Sequence, residues 1–271
     1  MTPPEAWSRG WALVTGASGG LGADMARILA ARGFPLVLTA RSAPDLEDLA
    51  RELGEAHGTQ VRLVPMDLSS PGAGDALADA VEATGIPVEV LVNNAGFGQW
   101  GPWVEQDAEE EAAMLRLNVE ALTVLARRMA PGMVAQGYGR ILNVGSVAGF
   151  FPGPLMTVYY ATKAYVLSFS EALAEELRGT GVTVTCLCPG PVRTGFQDRA
   201  ALSLPRVTSP AVVPSREVAR AGIEGMFRGR ARVVPGLLNK LSVWAPRFLP
   251  RTLVPKLVFR IQRRRGQRGK G

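Results

Sequence analysis

A tyrosine and a lysine, Tyr159 and Lys163, are four residues apart in a segment with helical periodicity. Side chains at this spacing share one face of a helix, so the phenol and the ammonium are expected to be neighbours. A free phenol has a pKa of about 10, and a nearby positive charge lowers that pKa by favouring the phenolate. The pair is therefore suited to proton transfer near neutral pH. A chance pairing on an amphipathic helix is the alternative; the adjacent Tyr160 has Ala164 at the matching position.

Two further polar side chains occur where they could assist such a proton transfer. Ser146 precedes Tyr159 by 13 residues and follows a predicted strand, and its hydroxyl could hydrogen-bond a substrate carbonyl oxygen on which charge develops. Asn118 has apolar neighbours in a long predicted helix. It either bends or caps that helix, or it holds a water molecule against Lys163.

A glycine-rich turn joins the first predicted strand to a helix, with the sequence TGASGGLG over residues 15–22. Glycines let the backbone bend tightly and approach a pyrophosphate, while the helix N-terminus offers unpaired N–H groups and a partial positive charge. A flexible turn is the alternative, but the order of strand, turn and helix favours a dinucleotide site. The contacts are predicted to come from Gly16, Ser18, Gly20, Leu21 and Gly22.

The carboxyl ends of the next three predicted strands carry further candidates for this site. Arg41 follows the second strand, where a basic side chain would pair with a 2′-phosphate and an acidic one would bind a 2′-hydroxyl. Arg41 therefore favours NADP over NAD; an exposed charge at the start of a loop is the alternative. The next two strand ends would line the adenine side of the cleft through Asp67, Leu68, Asn94, Ala95 and Gly96.

The elements that must position these residues alternate along the chain. Seven short apolar runs are predicted to be strands: 11–15, 35–40, 61–65, 88–93, 140–144, 182–188 and 232–235. Six longer segments are predicted to be helices: 21–32, 44–57, 73–84, 109–136, 157–178 and 215–228. Continuous apolar strands are typical of a parallel sheet buried on both faces. The prediction is an α/β fold, a doubly wound sheet in three layers within one domain, with its ligand at the carboxyl ends of the strands.

From Trp11 to about Gly236 the sequence resembles the short-chain dehydrogenase/reductase family. The family's glycine motif is matched by Thr15, Gly16, Gly20 and Gly22, its Asn-Asn-Ala-Gly motif by residues 93–96, and its catalytic set by Asn118, Ser146, Tyr159 and Lys163. Its Pro-Gly at the nicotinamide is matched by Pro189 and Gly190, with Val192 and Thr194 following. One departure is Gly19, where many NADP-using members carry a basic residue; this leaves Arg41 as the main 2′-phosphate candidate.

The resemblance implies a Rossmann fold and an oxidoreductase that uses NADP. Hydride would pass between the nicotinamide and a carbonyl carbon, and Tyr159 would supply the proton. Lys163 would lower the tyrosine pKa and hold the nicotinamide ribose, Ser146 would polarise the carbonyl, and Asn118 would anchor the water that restores the proton. Thr194 would bind the carboxamide. The resemblance also implies a homodimer or homotetramer formed through the two longest helices.

The predicted substrate neighbourhood is apolar. The segments 97–103, 150–158 and 190–214 flank the nicotinamide end and contain Phe97, Trp100, Trp103, Phe150, Phe151, Leu155, Met156 and Phe196. This composition favours a hydrophobic ketone, a steroid or a 3-oxoacyl chain over a sugar. About half of these aromatic residues are expected only to pack the loops. A different class of function, a non-catalytic NADP sensor or scaffold, is opposed by the intact catalytic set.

The positive charge is concentrated after the last predicted strand. From Gly225 onward the chain has 13 basic residues and no acidic one, which leaves 17 basic against 24 acidic residues before it. We divide the chain into a catalytic domain, 1–236, and a basic, amphipathic extension, 237–271, in which Pro246, Pro250 and Pro255 would break a long helix into short turns. The extension either lies on an anionic membrane or packs on the core or a partner subunit. Nucleic-acid binding ranks low, because no aromatic residues are interleaved with the last arginines.

Other features limit the location and the cofactor. Cys186 and Cys188 are two apart in one strand and are expected to be reduced core residues, while His57 is the only histidine, so no zinc site is predicted. We find no secretory signal and no apolar run long enough to span a bilayer. These observations predict a cytoplasmic protein, with peripheral membrane contact as the open alternative.

Overall fold

The computed structural model describes residues 10–192 and 212–267 of the 271-residue chain. Its centre is a seven-stranded, all-parallel sheet with the order β3-β2-β1-β4-β5-β6-β7. The strands are β1 (Trp11–Thr15), β2 (Leu36–Thr39), β3 (Val61–Leu63), β4 (Val88–Asn93), β5 (Gly139–Val144), β6 (Val182–Leu187) and β7 (Arg232–Val233). Each predicted strand is present, and the order reverses between β1 and β4. The predicted doubly wound fold is confirmed.

The described helices lie on both faces of this sheet. They are α1 (Gly20–Ala30), α2 (Ala43–His57), α3 (Ala73–Glu82), α4 (Ala108–Leu115), α5 (Leu122–Gln136), α6 (Thr157–Glu176), α7 (Ser215–Phe227), α8 (Leu237–Trp244) and α9 (Leu253–Gln267). One apolar cluster joins the sheet to α1, α2 and α7, and a second joins it to α3, α5 and α6. Because both faces are covered, every residue of β2 and β4 is buried, as expected for a parallel sheet.

Local sequence explains where individual helices begin and end. Before α2, the Ser42 hydroxyl accepts a hydrogen bond from the Asp45 backbone N–H at 3.4 Å. After α2, Gly58 adopts a left-handed conformation with φ of 64°, which side chains disfavour. The predicted helix 109–136 is interrupted, since a π-helical segment, Arg116–Ala121, separates α4 from α5. Such segments widen a helix by one residue and are frequent at functional sites.

Prolines divide the C-terminal part as expected, with one exception. Pro246 and Pro250 separate α8 from α9, and Ala245–Phe248 forms a 3₁₀ turn between them. Pro255 lies in the first turn of α9, where no helical partner is needed for the missing N–H, so α9 continues for 15 residues. The two helices pack on the domain through Asn239, Val243, Val254, Val258 and Gln262, which are all buried. Among the described residues, we find no helix with the length and apolar character needed to cross a membrane.

Candidate active site

The four candidate catalytic residues converge beside the carboxyl end of β5. Ser146 follows β5 directly, and Tyr159 and Lys163 project from the first two turns of α6. Asn118 comes from the π-helical segment. Lys163 Nζ donates to the Val144 carbonyl oxygen at 2.8 Å, which ties α6 to the end of the strand. The fold therefore brings together residues that are as many as 45 positions apart in the sequence.

Ser146 is held between two strand ends. Its Oγ accepts a hydrogen bond from the Ala148 backbone N–H at 3.0 Å and donates to the Pro189 carbonyl oxygen at 3.5 Å. A hydrogen bond also joins its side chain to the phenol of Tyr159. The serine hydroxyl and the tyrosine hydroxyl are thus adjacent, which is the arrangement needed to bind one carbonyl oxygen from two sides.

The pKa of Tyr159 differs from the prediction. Burial raises the pKa well above the ordinary value of a phenol, and the hydrogen bond with Ser146 offsets only part of this effect. The sequence predicts that Lys163 lowers this pKa, but in this structure burial dominates and the pKa is raised. The Lys163 ammonium lies 5.8 Å from the centre of the Tyr159 ring and donates to the carbonyl of Val144.

Of the two residues, Lys163 has the pKa that lies closer to neutral pH. Its side chain is almost completely buried, and burial lowers its pKa from 10.5 to about 8. The nearby thiols of Cys186 and Cys188 act in the opposite direction and raise the pKa slightly. Lys163 can therefore exchange a proton within the physiological range.

Asn118 connects the turn after β4 to α6, the helix that carries Tyr159 and Lys163. Its Oδ1 accepts from the Phe97 backbone N–H at 3.1 Å, and its Nδ2 donates to the Phe97 carbonyl at 2.9 Å and to Thr162 Oγ1 at 3.1 Å. The Asn118 side chain is fully buried. These bonds fix the helix that carries Tyr159 relative to the turn after β4, a role that the sequence did not reveal.

The glycine-rich turn packs tightly against the turn after β4. Gly16 has φ of 65°, and a Cβ atom placed on it would lie 2.9 Å from Ala95 Cα. Thr15 Oγ1 accepts from the backbone N–H groups of Asn94 and Ala95, both at 3.0 Å. Asn94 Nδ2 donates back to the Thr15 carbonyl at 2.9 Å. The two turns together form a glycine cradle. Because glycine has no side chain, a pyrophosphate could approach the backbone of this cradle closely.

The remaining cofactor candidates surround this cradle. Ser18, Gly20 and Leu21 lie at the start of α1, whose first turn has no side-chain cap at Gly19. Arg41 is exposed after β2 and lies close enough to Asp67 to lower the pKa of that carboxyl. Burial would raise the Asp67 pKa, but hydrogen bonds from Ser69 and the charge of Arg41 outweigh it. Leu68 is buried beneath the same edge.

The nicotinamide end is described only in part. Pro189 and Gly190 follow β6, and Val192 forms a parallel bridge with Val213. Thr194 and Phe196 lie outside the described residues.

Comparison with known proteins agrees with this geometry. A model of the short chain dehydrogenase family matches residues 10–203. The chain belongs to this family. The very-long-chain 3-oxoacyl-CoA reductase of Bos taurus is 35% identical over 192 residues, which are 69% of this chain and 61% of the bovine protein.

Two solved structures of the family extend the likeness to the fold. A short-chain dehydrogenase from Sphingobium yanoikuyae in complex with NADPH is 37% identical, with a TM-score of 0.78 over 88% of this chain and 91% of that one. The bulky-bulky ketone specific alcohol dehydrogenase from Comamonas testosteroni is 32% identical, with a TM-score of 0.75 over 89% of this chain and 99% of that one.

In this dehydrogenase, two buried amides from the C-terminal helices contact the site, and the sequence analysis missed both. Gln262 Nε2 donates to the Tyr160 hydroxyl at 2.7 Å, next to Tyr159. Asn239 lies so close to Gly190 that a Cβ atom there would approach it to less than 3.0 Å. The sequence signal for Gln262 was its spacing, since it is a polar residue that continues the four-residue spacing of the apolar Val254 and Val258.

The described aromatic residues of the predicted substrate neighbourhood lie in different surroundings. Trp100 and Phe151 pack beside Tyr159 in a cluster that also contains Val254 and Val258 of α9. Phe150 instead packs against the core near β6, with the Arg232 guanidinium 5.5 Å from its ring. Trp103 is 60% exposed and is not part of this cluster. The apolar surface at Tyr159 thus combines residues from the middle of the chain with residues of the C-terminal helix α9.

Proposed function

We propose that this dehydrogenase interconverts a hydrophobic ketone and its secondary alcohol with NADP(H), acting on a 3-oxoacyl, steroid or similar bulky substrate. The observation that carries the proposal is the hydrogen-bonded pair of Ser146 and Tyr159 beside the buried Lys163, at the sheet edge that also carries the glycine cradle. The apolar cluster at Tyr159 supports a hydrophobic substrate. The names of the two ketone-reducing relatives point in the same direction.

The cradle fits a dinucleotide, and the Sphingobium yanoikuyae relative solved with NADPH supports this cofactor. When bound, NADPH supplies a hydride to the carbonyl carbon. The pyrophosphate would be held by Gly16, Ser18, Gly20, Leu21 and Gly22, the 2′-phosphate by Arg41, and the adenine by Asp67 and Leu68. The turn at Asn94, Ala95 and Gly96 would line the adenine side with them, and Pro189, Gly190, Val192 and Thr194 would hold the nicotinamide.

The chain's own residues would transfer the proton and bind the substrate oxygen. Ser146 donates a hydrogen bond to the carbonyl oxygen and polarises it. The raised pKa of Tyr159 keeps its hydroxyl protonated at neutral pH, so that it can deliver a proton to the same oxygen. Lys163 holds the nicotinamide ribose and, with a pKa of about 8, passes on the proton that restores the phenol. Asn118 positions the helix of both residues through its bond to Thr162. It would also anchor the water that feeds Lys163.

Removal of the Arg41 side chain should weaken the use of NADPH and leave the use of NADH unchanged. In Arg41→Ala we expect the KM for NADPH to rise about ten-fold, because a charge-assisted hydrogen bond is worth about 1.5–3 kcal/mol. The KM for NADH should not change, since NADH has no 2′-phosphate. Steady-state kinetics with both cofactors measure the effect. Arg51→Ala, an exposed arginine of α2, is the matched control; equal losses with both cofactors in Arg41→Ala would contradict the assignment.

The pKa of Lys163 predicts a pH dependence. Because burial lowers this pKa to about 8, the ammonium is present below that pH and is lost as the pH rises through it. We expect kcat/KM for NADPH, which reports on the free enzyme, to be level below pH 8 and to fall about ten-fold per pH unit above it. Tyr159 does not interfere, since its pKa is raised. A profile that stays level to pH 10 would exclude this role for Lys163.

The proposed activity is tested by NADPH oxidation, followed by absorbance, with 3-oxoacyl thioesters, steroids, bulky aliphatic and aromatic ketones, and sugars. Turnover of one hydrophobic class, with NADPH preferred over NADH, is the expected result. Tight NADPH binding without turnover of any class would replace the proposal with a cofactor sensor.

We propose that residues 1–236 form the catalytic domain and 237–271 an extension of it, and that the enzyme is a homodimer or homotetramer. The exposed Leu115, at the end of α4, and the exposed Tyr165, stacked on Phe169 of α6, support an interface formed by α6 and the segment 109–136. The two free thiols, with sulfur atoms 3.6 Å apart, support a reducing compartment such as the cytoplasm.

A further inference from the structure

Most of the large apolar side chains that the described part of the chain exposes are near its C-terminal end. Ten of the fifteen belong to α8, α9 and the segment between them. They are Leu237, Leu238, Leu241, Trp244, Phe248, Leu249, Leu253, Leu257, Phe259 and Ile261. An apolar surface this concentrated usually marks a binding site.

Helix α9 separates its side chains into three adjacent stripes. Facing the domain is a stripe of buried residues: Val254, Val258 and Gln262. At 100° per residue, the exposed Leu253, Leu257 and Ile261 form the next stripe. The third stripe, Lys256, Arg260 and Arg263, is exposed and borders the second on the side away from the domain. An exposed apolar stripe with a basic border is the pattern of a helix that lies in a membrane interface.

The charge of this surface has a single sign. Lys240, Arg251, Lys256, Arg260 and Arg263 are exposed, and none of them forms a salt bridge with another described residue. No acidic residue follows Glu224 in the sequence. We define the extension face as these five cations together with the exposed apolar residues above other than Phe259, which at 100° per residue lies across the basic stripe from Leu257.

We propose that the extension face docks on the surface of an anionic lipid bilayer. Lipid headgroups complement the five cations, and the acyl boundary accepts the leucine, tryptophan and phenylalanine side chains. A two-fold contact between two copies of this face would place like charges against each other. A nucleic acid would satisfy the cations but leave the apolar side chains in water.

Docking would place the catalytic residues close to the lipid. The inner stripe of α9 packs on Met156, Tyr160 and Phe151, and Tyr159 lies in the same cluster. A ketone dissolved in the bilayer would then have a short path to Tyr159. This consequence rests on the proposed function, whereas the docking itself does not.

The experiment is sedimentation of the full-length protein with vesicles. We expect binding to vesicles of phosphatidylcholine and phosphatidylserine, weak binding to phosphatidylcholine alone, and release by salt. Charge reversal in K256E/R260E/R263E should lower the partition coefficient at least about 100-fold, since each cation contributes about 1 kcal/mol near an anionic surface. Leu241→Ser with Phe248→Ser keeps the charge and should lower it about ten-fold, through lost apolar burial.

The matched control is R127E/R216E/R220E, which changes the net charge equally at exposed arginines of α5 and α7. Its partition coefficient should stay near that of the wild type, and all variants should keep the wild-type melting temperature. If the partition coefficient fell equally in this control, the total charge of the protein would explain the effect, and the proposal would be overturned. The proposal would also be overturned if the wild-type protein did not bind anionic vesicles. A loss of oligomer mass in the Leu241 and Phe248 variant would overturn it as well, because it would assign the face to a second copy. None of these readouts needs turnover, so failure of the docking and failure of the proposed reductase are distinguishable.

Discussion

Tyr159→Phe should lower kcat for ketone reduction about 1,000-fold, because a positioned general acid contributes about 10²–10⁴-fold to a proton-coupled step. The substitution removes one hydroxyl from a half-buried ring and leaves its packing with Trp100 and Phe151 unchanged. The affinity for NADPH should be kept, since the glycine cradle is not altered. Single-turnover kinetics, with cofactor binding followed by fluorescence, measure the two effects separately.

The adjacent tyrosine gives the matched control. Tyr160→Phe removes a hydroxyl one residue away, where its partner is Gln262 and not Ser146. This variant should lose about 1 kcal/mol of unfolding free energy through one buried hydrogen bond and keep its turnover. If Tyr159→Phe kept wild-type turnover, or if Tyr160→Phe lost as much, Tyr159 would not be the proton donor.

Gly22→Ala should weaken NADPH binding at least about ten-fold, since overpacking a tight contact costs about 1–3 kcal/mol. A Cβ atom at Gly22 would lie closer than 3.0 Å to the carbonyl oxygen of Gly16 and to Asn94 Nδ2. Both neighbours belong to the cradle, so relief of the clash must displace one of its two turns. Calorimetric titration with NADPH measures the loss.

Gly19→Ala tests whether the effect comes from the clash or from glycine content. No heavy atom lies within 4 Å of a Cβ placed at Gly19, and its backbone is extended, with φ of −178°. The affinity of this variant should stay within about two-fold of the wild type, as for other surface substitutions. Equal losses in the Gly19 and Gly22 variants would mean that chain flexibility, and not close approach, explains the glycines.

Periodicity in the sequence predicted the sheet and most helices correctly, because each is set by local patterns. A parallel strand buried on both faces must be apolar throughout, and the four-residue spacing of Tyr159 and Lys163 places both on one helix face in any fold. The interruption at Arg116–Ala121 was missed. Its Asn118 bonds to Phe97 and Thr162, which are distant in sequence, and no local pattern encodes such contacts.

The sequence by itself determined the fold class, the family and the identity of the candidate catalytic residues, since order and spacing carry that information. Only the tertiary structure decided how those residues are tuned. The pKa values of Tyr159 and Lys163 move in opposite directions because both groups are buried, and burial penalises the phenolate in one and the ammonium in the other. The contacts of Gln262 and Asn239 with the site likewise depend on where the C-terminal helices fold back, which no local pattern encodes.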